Sequence, residues 1–372
     1  MRIRRSLPLA LCAALFMWAG CGGHEFWTTV NPTPTPSNPT GAVPKFAYAA
    51  NFNGGGAGSV SAYTINSGTG SLTAVSGSPF AAGTGTVAAG ADSAGKLVYA
   101  ANQGGGVSAF TITRADGTLV AVSGSPFATG TTPVWVAVDP GGRFVYVVNG
   151  GSSNISSFAV NSSTGALTAM SGSPFAVTAT PLRATVDPSG RFLYVSLGTG
   201  GTEVFKINDG TLAVVRTVPA APCAASDAVA LDANSRFVFV ADGSTGICNY
   251  AVNASSGDLT LISSTIIPAG TNPVAVATGA NGKFLFAANK GSSNLSGFII
   301  NADGSLTAMS GSPFSVGSAP VDVTVDPSGA FVYVANFSGN SVSIFSINSS
   351  NSLSSVGTAT PGTNPNSVVT TQ

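Results

Sequence analysis

The phrase Phe144-Val145-Tyr146-Val147-Val148-Asn149 occurs in seven copies along the chain, and no other feature narrows the possible folds as much. The copies centre on Phe46, Leu97, Phe144, Phe192, Phe237, Phe284 and Phe331, at intervals of 51, 47, 48, 45, 47 and 47 residues. In every copy a large apolar residue is followed two positions later by Tyr or Phe, as in Phe46/Tyr48, Phe237/Phe239 and Phe331/Tyr333. A repeat of this length marks supersecondary units that bury their apolar faces only against a neighbour.

Each unit holds four apolar segments separated by turn residues. In the unit around Phe144, Pro133 to Val138 forms a first strand, apolar on both faces. Asp139-Pro140-Gly141-Gly142 is a turn: Asp caps it, Pro presets φ and Gly accepts φ > 0. Arg143 to Val148 is the second strand, Ile155 to Val160 alternates as a third, and Ala166 to Met170 begins a fourth. Ser171-Gly172-Ser173-Pro174-Phe175 leads out to the next unit. The turn returns as Asp187-Pro188-Ser189-Gly190 and Asp326-Pro327-Ser328-Gly329, and the fourth strand at Leu72, Leu119, Leu212, Leu259, Leu306 and Leu353. Four short strands per unit without a helical period predict an all-β, seven-bladed β-propeller of four-stranded antiparallel blades.

The chain ends predict how the ring closes. First strands are aligned by Asp92, Asp139, Asp187, Asp232, Asn281 and Asp326, but none precedes Phe46. The missing copy lies at the far end, where Pro365 to Thr370 matches Pro320 to Val325. The C-terminal strand is thus expected to complete the N-terminal blade, a closure that removes exposed sheet edges.

Ahead of the repeats stand two other segments. Arg2, Arg4 and Arg5 precede an apolar run from Leu7 to Gly20, the layout of an export signal covering residues 1–20. Cys21 follows Ala19-Gly20, an arrangement that resembles a lipoprotein lipobox, although Trp18 stands where that motif prefers Leu. Lipidation at Cys21 is therefore expected, with simple secretion as the alternative. Residues 21–43, with Pro32, Pro34, Pro36 and Pro39 among Thr, Ser and Asn, read as an extended tether before a propeller spanning 44–372.

Tyr146-Val147-Val148-Asn149 and Tyr333-Val334-Ala335-Asn336 resemble the YVTN repeat. The Asp-Pro-Ser-Gly-Arg-Phe phrase at 187–192 and Gly-Ala-Leu-Thr at 165–168 are similar to the seven-bladed, lactonase-like propeller family. The resemblance covers all seven repeats. It implies the fold, and it brings 6-phosphogluconolactonase-type activity into consideration. The matching residues belong to turns and packing, so they carry no chemistry by themselves.

Composition bears on that choice. Loss of Arg2, Arg4 and Arg5 with the signal leaves 11 basic residues against 14 acidic, without a basic patch, which speaks against nucleic acid. His24 is the only histidine and precedes the repeats, and Glu203 is the only glutamate within them. Neither a metal nor a cofactor is expected. Seven first-strand positions should lie near the channel mouth: Ala88, Trp135, Arg183, Ala228, Ala275, Asp322 and Ser367. Arg183 could hold an anionic or carbonyl group, Asp322 could act as base or acceptor, and Trp135 could form a stacking wall. The alternative is a structural ion pair or two charges wetted by channel water, since an unpaired charge on an apolar strand is costly. Their blades stand about three apart, a separation that could exceed hydrogen-bond reach. Asp227, Asp242 and Lys290 are further ligand candidates in the same loops, each otherwise a solvated loop residue. Cys223 and Cys248 fall at one end of one blade and suit a disulfide, with two separate thiols as the alternative.

Two functions remain open. One is an exported, membrane-anchored or secreted monomer that binds a small molecule, a glycan or an envelope protein at the channel mouth, or serves as a cell-envelope scaffold, without turnover. In that reading the only membrane contact is the lipid anchor. The other is a lactone hydrolase, which would need a base poised near neutral pH or a metal-activated water.

Overall fold

The computed structural model describes residues 45–244 and 246–372. The export signal, Cys21 and nearly all of the tether lie outside the described residues. The seven repeated phrases form seven second strands, Phe46–Asn51, Leu97–Asn102, Phe144–Asn149, Phe192–Ser196, Phe237–Ala241, Phe284–Asn289 and Phe331–Asn336. Each pairs edge to edge with a first and a third strand and has an adjacent blade packed on each face, so both of its faces are buried, which explains an apolar run without alternation. We number the blades 1 to 7 by these strands.

Blade 1 is closed by the C-terminus. Pro365–Thr370 pairs antiparallel with Phe46–Asn51, matching Ala47 with Thr370 and Ala49 with Val368. Seven apolar clusters follow, each shared by two adjacent blades, including one that joins blade 7 to blade 1 through Phe331, Tyr333, Ala49 and Val368. The core is therefore a ring of interfaces between blades.

In three blades the tyrosine two residues into the second strand ties it to the next blade. Tyr48, Tyr194 and Tyr333 are buried and donate to the carbonyls of Gly117, Gly257 and Gly70, at 3.1, 2.9 and 2.9 Å, in the outer turn of the neighbouring blade. At Gly257 φ is +76°, and a Cβ there would come within 2.4 Å of the Phe192 ring. Only glycine combines that backbone with so close an approach.

The aspartate turns act as caps. One oxygen of Asp187 accepts from the N–H groups of Arg191 and Phe192 at 2.7 and 2.8 Å, and Asp139, Asp232 and Asp326 repeat the pattern. One alignment is corrected. The blade 6 equivalent of Asp139 is Gly279, whose N–H reaches the Phe284 carbonyl as Asp139 N–H reaches that of Phe144. Asn281 lies two residues further on and accepts from Lys283 N–H.

The lead-out phrase also has a structural role. In blades 1, 2, 3 and 6 the outer strand breaks after three residues. There the hydroxyl of the Ser before Pro, at Ser78, Ser125, Ser173 and Ser312, accepts a third-strand N–H at 2.9 to 3.0 Å. The side chain satisfies a donor that the broken strand leaves open.

Candidate ligand site at the channel mouth

First strands line the central channel, and their register places equivalent residues of all seven blades at one level. Trp135, Arg183 and Asp322 lie opposite Val148, Ser196 and Ala335, which are equivalent positions of blades 3, 4 and 7. Ala88, Ala228, Ala275 and Ser367 complete this ring. Its small members leave room for Arg183 to cross the channel. The Arg183 guanidinium lies 2.8 Å from the Asp322 carboxylate, donates to the Val321 carbonyl, and stacks 4.3 Å from the Trp135 ring centre. The second oxygen of Asp322 accepts from Val368 N–H of blade 1 at 3.0 Å, and the Trp135 indole donates to Ala184 O at 2.9 Å. The expected gap between the two charges is thus absent: a long, planar, five-donor side chain spans it. Burial raises the Asp322 pKa, against the pull of Arg183 and the Val368 N–H.

The pair stands between two groups of cavities. Toward the Asp-Pro turns lies a space of about 240 Å³, bounded by Trp135, Arg183, Ala228, Thr278 and Asp322. Toward the entry of the first strands lies one of about 220 Å³, bounded by Leu182, Arg183, Asp227, Val274, Lys290, Val321 and Asn366. Of these linings only Arg183 is common to both. An adjoining mouth cavity of about 210 Å³ shares Lys290, Val321 and Asn366 and adds Phe52, Val87, Gln103 and Phe337.

The mouth is built from two further rings of the repeat. The first-strand position before Trp135 gives Val87, Val134, Leu182, Asp227, Val274, Val321 and Asn366, five aliphatic residues and two polar exceptions. The position six residues after the first residue of each second strand gives Phe52, Gln103, Gly150, Gly198, Gly243, Lys290 and Phe337. Blades 3 to 5 therefore carry glycine, and side chains rise only from blades 6, 7, 1 and 2. Phe52 and Phe337, on neighbouring blades, place their ring centres 6.1 Å apart.

The charged mouth residues differ in their state. Asp227 is half-buried, and its carboxylate has no hydrogen bond or ion pair with any described residue. Its pKa is raised by burial, against Arg183, with Asp242 adding to the rise. The Lys290 ammonium is exposed and likewise makes no hydrogen bond or ion pair. Asp242 is not a solvated loop residue. It is fully buried, occupies the second-strand terminus held by Asn149 in blade 3, and accepts from the N–H groups of Ser244 and Gly246 at 2.7 and 2.9 Å. Cys223 and Cys248 are joined as a disulfide in blade 5, with Cα atoms 6.1 Å apart. Phe52, Gln103, Phe337 and Asn366 were not singled out by sequence; aligning the residue after each second strand would have found the first three. Among the described residues no group of three His, Cys, Asp or Glu side chains gathers to hold a metal ion.

The chain is thus a closed ring of seven blades with a charge pair across its channel and an amphipathic mouth. The chain belongs to the lactonase, seven-bladed β-propeller family, whose model matches residues 28–313 and 241–368. Solved structures share the fold at low identity. A protein from Lactobacillus plantarum is 21% identical, with a TM-score of 0.72 over 88% of this chain and 99% of its own. A Bacteroides uniformis protein, described provisionally as a 6-phosphogluconolactonase, is 18% identical, with a TM-score of 0.75 over 88% and 99%. The periplasmic gluconolactonase of Pseudomonas aeruginosa is 18% identical, with a TM-score of 0.69 over 88% and 99%. No curated protein sequence matches the chain.

Proposed function

We propose that this lactonase-family propeller is a binding module that takes a small ligand at the channel mouth without hydrolysing it. The observation that carries the reading is the mutual engagement of Arg183 and Asp322. The cation that would polarise a lactone carbonyl is committed to a carboxylate, a backbone carbonyl and an indole. The carboxylate that would act as base is committed to that cation and to an N–H. Their partners tie together blades 3, 4, 7 and 1, a stabilising role. The two mouth cavities together reach the size range of small-molecule sites, with mostly apolar walls and a few polar groups.

Lactone hydrolysis is the second reading. It is favoured by the family and by Asp227, whose raised pKa suits a proton acceptor better than an ordinary aspartate. Ligand-observed NMR with sugars, amino acids and small carboxylates tests the binding reading. Binders should compete with one another and weaken in Phe337→Ala. A panel without binders, or binders indifferent to Phe337, would contradict it.

Export and anchoring through Cys21 are part of the same proposal. Cys21→Ser should move the protein from the membrane fraction to the soluble fraction, whereas a wild-type protein already soluble and unlipidated would leave secretion alone.

A further inference from the structure

The mouth presents a carboxylate and an ammonium that are both without hydrogen-bond or ion-pair partners among the described residues, Asp227 of blade 5 and Lys290 of blade 6, in the wall of one cavity. Free opposite charges on adjacent blades would gain by pairing, yet they form no ion pair. Around them the walls are Leu182, Val274 and Val321, with the Phe52–Phe337 aromatic pair beyond Lys290. We propose that the mouth takes a zwitterion with an apolar side group, of the α-amino-acid class. Its ammonium binds the Asp227 carboxylate, its carboxylate binds the Lys290 ammonium, and its side group lies against Phe52 and Phe337. The proposal rests on the reading of the mouth as a ligand site and names what fills it.

The polar inventory decides against a carbohydrate. Apart from the two charges and Arg183, which is engaged by Asp322 and the Val321 carbonyl, the two cavities offer only Gln103 and Asn366 as amides, and the Asn366 NH2 already donates to Val87 O at 2.7 Å. A sugar's many hydroxyls would face aliphatic walls, leaving polar groups desolvated without partners. A zwitterion needs two strong contacts and an apolar surface, and the site holds both. The glycines of blades 3 to 5 leave the approach to Asp227 open, while Lys290 and the two phenylalanines stand on the opposite arc.

Titration calorimetry of the folded protein tests this with L-phenylalanine, L-leucine, N-acetyl-L-phenylalanine, L-phenylalaninamide and glucose. The free amino acids should bind, and capping either charge should weaken binding by about tenfold or more, the worth of one charge-assisted hydrogen bond. Asp227→Asn should weaken L-phenylalanine but not further weaken its N-acetyl derivative. Lys290→Gln should show the same relation toward the amide. Neither side chain holds the fold together, so both variants should remain folded. Absence of amino-acid binding, or equal binding of capped and free forms, overturns the proposal. Glucose binding that Phe337→Ala abolishes would overturn the ligand class while leaving the mouth as a binding site.

Discussion

Cys223 and Cys248 occupy the positions that blade 3 gives to Gly130 and Ser156, where the Gly130 N–H donates to the Ser156 hydroxyl at 3.2 Å. The same pair of positions meets as Gly317 and Ser343 in blade 7 and as Gly362 and Ser61 in blade 1. In blade 4 it meets as Thr178 and Glu203, whose carboxylate accepts from the Thr178 N–H at 2.9 Å. Blade 5 thus makes covalent a contact that other blades make by hydrogen bond. The disulfide fixes the loop that carries Asp227 to the mouth.

Because the bridge closes a loop of 25 residues, replacing both cysteines by serine should cost roughly 3 kcal/mol of stability, mainly through the unfolded chain. Urea unfolding of the oxidised wild type against the double variant measures it. Equal stability, or free thiols in the native protein, would show that the bridge does not form.

Much of this was legible in the sequence because it is periodic. Copy spacing revealed seven blades, and the unmatched Phe46 phrase located the closing strand. The Cys223–Cys248 contact was implied by the register of the repeat as well as by proximity. Arg183 and Asp322 were visible as exceptions on apolar strands, but their contact depends on Arg183 reaching across the channel past alanines. Sequence separation cannot show that. Asp242 misled because a buried cap and a solvated loop residue look alike until its equivalence to Asn149 is used. The motif at 171–175 concealed a strand break healed by a serine hydroxyl, which strand counting does not resolve.

Ring closure predicts that removing everything after Gly362 unfolds the protein. The deletion takes Pro365–Thr370 from the side of Phe46–Asn51, leaves that strand's edge unpaired and uncovers the first strands of blades 2 and 7 that pack against it. The loss should exhaust most of the ~5–15 kcal/mol margin typical of folded proteins. A truncated chain with unchanged thermal unfolding would refute this closure.

Arg183→Ala should destabilise by about 3–5 kcal/mol, because it leaves Asp322 buried without its partner. Replacing the pair together, as Arg183→Met with Asp322→Leu, should cost much less, since no charge is then stranded. Chemical denaturation compares the two, and an equal loss in both would contradict the pairing account.

Asp227 should titrate above the ordinary aspartate value of 3.8, because burial disfavours its charged form. The sign follows from proton binding: the folded state keeps a proton that the unfolded chain has released. Relative to Asp227→Asn, stability should therefore fall as pH rises from 3.8 through the folded pKa, then level off. Carboxyl NMR shifts followed against pH report it directly, and a midpoint at or below 3.8 would contradict the buried, unpaired state.

The most direct test of the account is a lactone-opening assay with 6-phosphogluconolactone and glucono-δ-lactone, comparing wild type, Asp227→Asn and Asp322→Asn. If Arg183 and Asp322 are committed to each other and the mouth only binds, all three proteins should open both lactones at the buffer rate. Robust turnover by wild type that either substitution abolishes in a folded protein would contradict it, and would make the channel mouth an active site.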